Sequence, residues 1–140
     1  MNDAGTIDID GVTVPRLLYG TAWKEDATER LVTLALEQGF RGFDTANQRK
    51  HYYEAGTGAA LAKAVKAGRV RREDLFIQTK FTFRRGQDHR LPYDADAPAA
   101  TQVVQSFEKS LEHLQTDYID SLVLHGPWTG ERLHPIDWQV

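Results

Sequence analysis

A recurrence constrains this chain more than any other feature. Three short apolar runs each follow a helical segment, and each closes on an ionisable side chain. The run from Phe40 ends on Asp44, LFIQTK (75–80) on Lys80, and IDSLVLH (119–125) on His125. Strands that alternate with helices predict parallel crossovers. In a parallel sheet the successive strand ends meet on one face, so the three side chains are expected to converge there. The stretch 42–58, GFDTANQRKHYYEAGTG, runs on from Asp44 into the next helix and brings Tyr52 and Tyr53 to the same mouth.

The alternation extends in both directions. Residues 6–15, TIDIDGVTVP, alternate around Asp10-Gly11, a strong short-range hairpin signal. Leu17 to Tyr19 then reads as a buried strand. Asp26 and Glu29 have capping-box spacing, which predicts a helix to Gln38 with Leu31, Leu34 and Ala35 inward and Gly39 at its end. A second helix is predicted over 54–67, with Ala60, Leu61, Ala64 and Val65 inward. The third strand is placed at 75–79, and a long polar loop at 81–96 is expected to be functional or mobile. Pro98 suits a first helical turn. Val103, Val104, Phe107, Leu111 and Leu114 make the inward stripe of the helix that follows, and 119–124 is the fourth strand.

Composition narrows the function classes. The 140 residues suit one domain, 1–140, and 41% apolar with 26% charged residues is an ordinary globular balance. A net charge of −3 gives no signal for nucleic acid or an anionic membrane surface. The basic runs 69–72 and 84–90 are interrupted by acids and read as solvated loop faces. No apolar run approaches the about 18 residues a membrane span needs. The acidic N-terminus lacks the pattern of a secretion signal, so a cytoplasmic location is expected. There is no cysteine, and the histidines at 51, 89, 113, 125 and 134 lack zinc-ligand spacing. Gly56-Thr57-Gly58 lacks the Walker lysine and the preceding strand, so helix packing explains it better than phosphate binding.

Taken singly, the strand-end residues have ordinary explanations. An aspartate caps turns, a lysine snorkels at a strand end, a histidine or tyrosine fills a core. Their coincidence in successive units points to chemistry. A phenol, with an unperturbed pKa of about 10, is a poor acid near neutrality. An adjacent ammonium favours its ionised form, and an aspartate keeps that ammonium charged and aimed. A histidine can orient a carbonyl oxygen or share the proton. Such a group is a tuned acid beside an oxygen that gains negative charge. It supplies no electrons, so a cofactor must bring the hydride. Carbonyl reduction by a nicotinamide cofactor fits these parts.

Five stretches, in order, resemble the N-terminal half of the aldo-keto reductases: YGTAWK (19–24), GFDTA (42–46), HYYEAGTG (51–58), FIQTKF (76–81) and DYIDSLVLHGP (117–127). The resemblance implies a TIM (β/α)8 barrel opened by a hairpin, here as a half-barrel of about four parallel strands. It gives Asp44, Lys80 and His125 the family's catalytic roles. Counted back from Glu54, the catalytic tyrosine is Tyr52, with Tyr53 open as the alternative. It places Thr21 and Asp44 at the cofactor, and Trp23, Tyr53 and Trp128 around the substrate. The implied cofactor is NADPH, with NADH possible, and the implied partner is a small carbonyl substrate. Gly126 stands where the family commonly has an aromatic.

A whole barrel takes about 250 residues. The family segments that hold the cofactor's pyrophosphate and adenosine are not in this sequence. A truncated fragment without catalysis, or a half-barrel binding module, is the competing expectation. A half-barrel also leaves sheet edges unpaired, which predicts self-association.

Overall fold

The computed structural model describes residues 5–126. Thr6–Ile9 (β1) and Val12–Pro15 (β2) pair antiparallel as the sequence predicts. Asp10 and Gly11, at φ 51° and 84°, supply the two left-handed residues that a tight two-residue hairpin turn requires. Four further strands follow: Leu18–Gly20 (β3), Gly42–Asp44 (β4), Phe76–Phe81 (β5) and Ser121–Leu124 (β6). Between them lie the helices Thr28–Glu37 (α1), Glu54–Lys66 (α2) and Ala99–Leu114 (α3). The strands form one parallel sheet in the order β3-β4-β5-β6. A sheet whose spatial order equals its chain order belongs to the barrel type, since a doubly wound sheet reverses direction. The fold is α/β of the TIM-barrel kind, with four parallel strands behind a hairpin. Among the described residues, no helix is long and apolar enough to cross a membrane.

Alternation along the strands gives the sheet two faces. Tyr19, Phe43 and Ile77 stand in one row. Phe43 and Ile77 are buried with Val32 and Ala35 of α1, Ala60, Leu61 and Ala64 of α2, and Leu114 of α3. A second cluster, Phe81, Phe83 and Tyr93, closes the C-terminal end of β5. On the other face Gly20, Asp44, Gln78 and Ser121 are in register. That face carries the chemistry.

Several elements differ from their sequence-based expectation. The capping box does not form, because a 3-10 turn at Glu25–Ala27 puts Ala27 at the cap of α1. Thr28 Oγ1 instead donates to the Glu25 carbonyl at 2.7 Å. The buried line of α1 runs through Thr28, Val32 and Ala35, which leaves Leu34 46% exposed. In α3 the difference is larger. Its buried face is Gln102, Ser106, Ser110 and Leu114, while Val104 is 55% exposed. The reason lies opposite, where Asn47 and Glu54 need polar partners.

The long loop is pinned rather than loose. Phe83 and Tyr93 are buried, the Tyr93 hydroxyl donates to the Thr82 carbonyl at 2.7 Å, and Gln87 Nε2 donates to the Asn47 carbonyl at 2.8 Å. Pro98 is the cap of α3 and not its first turn. Arg72, expected on a solvated face, is only 16% exposed. A 3-10 turn at Arg72–Asp74 folds it against the α3–β6 connection. There it pairs with Asp120 at 2.8 Å, donates to Thr116 Oγ1 and the Leu75 and Tyr118 carbonyls, and stacks 3.8 Å above the Tyr118 ring.

Candidate active site

Asp44 is the last residue of β4, and Gln78 pairs with it across the sheet. Lys80 stands two residues beyond Gln78, on the same face by strand alternation, so its stem reaches back to Asp44. Lys80 Nζ lies 2.7 Å from each Asp44 carboxylate oxygen and 2.9 Å from the Thr45 carbonyl. These three contacts use all three ammonium protons. Gln78 Nε2 donates to Asp44 Oδ1 at 2.8 Å, and Ser121 Oγ donates to Gln78 Oε1 at 2.8 Å. A polar chain thus crosses β4, β5 and β6.

His125 directly follows β6, and its backbone N–H extends the ladder to the Phe81 carbonyl at 2.8 Å. Its Nδ1 meets Thr82 Oγ1 at 2.8 Å. Burial pushes the His125 pKa below the ordinary imidazole value, and the Lys80 charge pushes it the same way against an opposing pull from Asp44. His125 is therefore neutral at neutral pH.

Tyr52 completes the group. Lys80 Nζ lies 4.9 Å from the centre of its ring, and the His125 ring meets it edge-on at 5.9 Å. The structure brings Asp44, Lys80, Tyr52 and His125 together at the C-terminal ends of the strands. Tyr53 turns elsewhere, with Arg49 4.4 Å from its ring centre and Gly56 beneath the ring. Thr21 is fully buried and donates from Oγ1 to the Asp44 carbonyl at 2.9 Å, so it braces Asp44 from behind. Trp23 is 70% exposed, sits at φ 60°, and lays its ring 4.0 Å from the His51 imidazole. Trp128 lies outside the described residues.

The loop that carries Tyr52 is held by residues that sequence reasoning passed over. Asn47 Nδ2 donates to the Ser106 carbonyl at 2.8 Å and to Ser110 Oγ at 3.2 Å. Gln48 Nε2 donates to the Gly86 carbonyl at 2.7 Å, and the Gln48 carbonyl accepts from the Tyr52 N–H at 2.9 Å. Glu54 is 4% exposed; it accepts from Thr79 Oγ1, from Ser110 Oγ at 2.9 Å, and meets His113 Nδ1 at 2.8 Å. The available signal was small: serines four residues apart on α3, and an Asn-Gln pair just after Asp44. A groove of about 710 Å³ between α2 and α3 is lined by Leu75 and Ile77 of the β5 side, away from these groups.

Known proteins share this arrangement of sequence. NADP-dependent D-sorbitol-6-phosphate dehydrogenase from Malus domestica is 38% identical over 104 residues, covering 74% of this chain and 28% of that protein. Deoxymugineic acid synthase 1-A from Triticum aestivum is 37% identical over 152 residues, covering 97% of this chain and 44% of that one. Among solved structures, the Bombyx mori aldo-keto reductase AKR2E4 in complex with NADP superposes with a TM-score of 0.68 at 29% identity. That match covers 87% of this chain and 38% of the silkworm chain. This chain thus spans less than half the length of these relatives. The family model described as Aldo/keto reductase family matches residues 6–132. The chain belongs to the aldo/keto reductase family.

Proposed function

We propose that this protein is an oxidoreductase that reduces aldehyde or ketone carbonyls to alcohols with NADPH. The convergence of Tyr52 with Lys80, Asp44 and His125 carries this reading. Relatives named for NADP, one of them solved with NADP, support the choice of cofactor.

Bound NADPH supplies the hydride that the carbonyl carbon receives. The residues here fit its nicotinamide end. A side chain at Gly20 would meet nothing within 4 Å, so there is open room beside Asp44 for a flat ring. Asp44 would hold that end, with Thr21 fixing its backbone. As the carbonyl oxygen gains negative charge, the Tyr52 hydroxyl gives it a proton and His125 orients it. The Lys80 ammonium stabilises the phenolate charge left behind, and Asp44 keeps the ammonium in place. Water then returns the proton to Tyr52. We also assign self-association to the chain, because β3 and β6 are edge strands among the described residues and Leu122 on β6 is 44% exposed.

The test is NADPH oxidation at saturating aldehyde. Tyr52→Phe is expected to lose on the order of a hundredfold or more in kcat, while Tyr53→Phe keeps most of it. Full activity in Tyr52→Phe would remove Tyr52 as the acid.

A further inference from the structure

We propose that Thr82 is a positioning residue that fixes His125 as the tautomer protonated on Nε2. An N–H donor is then aimed at the substrate oxygen, and this inference rests on the carbonyl-reduction reading above.

Thr82 follows directly on β5 and is 2% exposed. Its hydroxyl lies 2.8 Å from His125 Nδ1, the one hydrogen-bond partner it has among the described residues. A threonine side chain is stiff about χ1, so the hydroxyl does not swing to another acceptor. Its backbone is fixed as well, since the Thr82 carbonyl accepts from the Tyr93 hydroxyl at 2.7 Å and from Gln87 Nε2 at 3.2 Å. Burial raises the Tyr93 pKa, which keeps that phenol a donor. On the other side, the His125 N–H is tied to the Phe81 carbonyl at 2.8 Å. Both ends of the Thr82–His125 contact are therefore anchored.

A neutral imidazole has one N–H and one bare nitrogen. Two arrangements satisfy the 2.8 Å contact. In the first, the threonine donates to Nδ1, and the ring proton sits on Nε2. In the second, Nδ1–H donates to the threonine, whose own buried proton is left without an acceptor, at a desolvation cost. The second arrangement also turns a bare Nε2 lone pair toward the oxygen that gains negative charge. Burial and the Lys80 ammonium, which hold His125 neutral, favour a single defined tautomer over a doubly protonated ring. The first arrangement satisfies every proton and serves the reaction.

The experiment is nitrogen NMR of the 140-residue chain labelled with 15N-histidine, with His125→Asn used to assign the His125 signals. In the unsubstituted chain, Nδ1 is expected in the unprotonated range and Nε2 in the protonated range. Thr82→Val, close in shape but without the hydroxyl, is expected to give a mixture of tautomers. It should also lower kcat for carbonyl reduction by about three- to tenfold, and Thr82→Ser should restore both. A protonated Nδ1 in the unsubstituted chain overturns the proposal, as does an unchanged tautomer in Thr82→Val. If Thr82→Val fails to fold, the spectrum of the unsubstituted chain still decides. The spectra need no turnover: the expected tautomer without any carbonyl reduction would sink the reaction while leaving the tautomer assignment standing.

Discussion

His125 illustrates how one side chain couples its surroundings to pH. Its folded pKa lies below the ordinary 6.5, chiefly through burial and then through the Lys80 charge. The unfolded chain therefore takes up this proton before the folded chain does. The corresponding stability is present above about pH 6.5 and is lost as the pH falls through the lower folded value. Urea midpoints should drop between about pH 7.5 and about pH 5, and the drop should be smaller in His125→Asn. An equal drop in both would show that His125 is not the titrating group. Of the site residues, Asp44, Lys80 and His125 were legible because strand ends have a fixed place in a parallel sheet. Tyr52 was favoured over Tyr53 only by its distance from Glu54, because adjacent loop residues carry no periodicity. In space they part, with Tyr52 against Lys80 and His125 and Tyr53 packed on Arg49 and Gly56. Thr82 was invisible for the same reason, being a common residue whose meaning comes from a partner 43 positions away.

At the scale of elements, α2 and α3 approach more closely than side chains allow. A Cβ on Gly58 would stand 1.9 Å from the His113 carbonyl oxygen, which is backbone and cannot swing aside. Gly58→Ala should destabilise the fold by about 1–3 kcal/mol or more, read as a lower urea midpoint at unchanged slope. An unshifted midpoint would mean the helices have more room than the structure gives them. Arg72 makes the second test. Removing it strands the partly buried Asp120 carboxylate, which also accepts from the Ile77 N–H at 2.9 Å. Arg72→Ala should therefore cost about 3 kcal/mol, and a loss within about 0.5 kcal/mol, as at an ordinary surface site, would show the pair to be dispensable. Element order and type were readable from apolar periodicity. The inner face of α3 was not, because periodicity finds the apolar stripe, and here the sheet-side neighbour is a polar loop. Arg72 was missed similarly, since a basic run looks solvated until a turn folds one member inward.

For the whole molecule, the hairpin and the order of the four parallel strands were legible from strand spacing. The polar network that fixes the mouth was not, because its partners are far apart in the chain. The sheet leaves β3 and β6 paired on one side only among the described residues, and Leu122 on β6 stands exposed. Sedimentation velocity of the 140-residue chain should show concentration-dependent species larger than the 15.8 kDa monomer. A single monomeric species at high concentration would contradict this. Asn47 and Glu54 bracket the loop that carries Tyr52, and both are answered by α3, through Ser106 and Ser110. The loop is thus not a cassette that can be traded between relatives by itself. Its shape depends jointly on the Ser110 hydroxyl and the Ser106 carbonyl of another helix, and recombination anywhere between residues 54 and 106 would part the tyrosine from what holds it in aim.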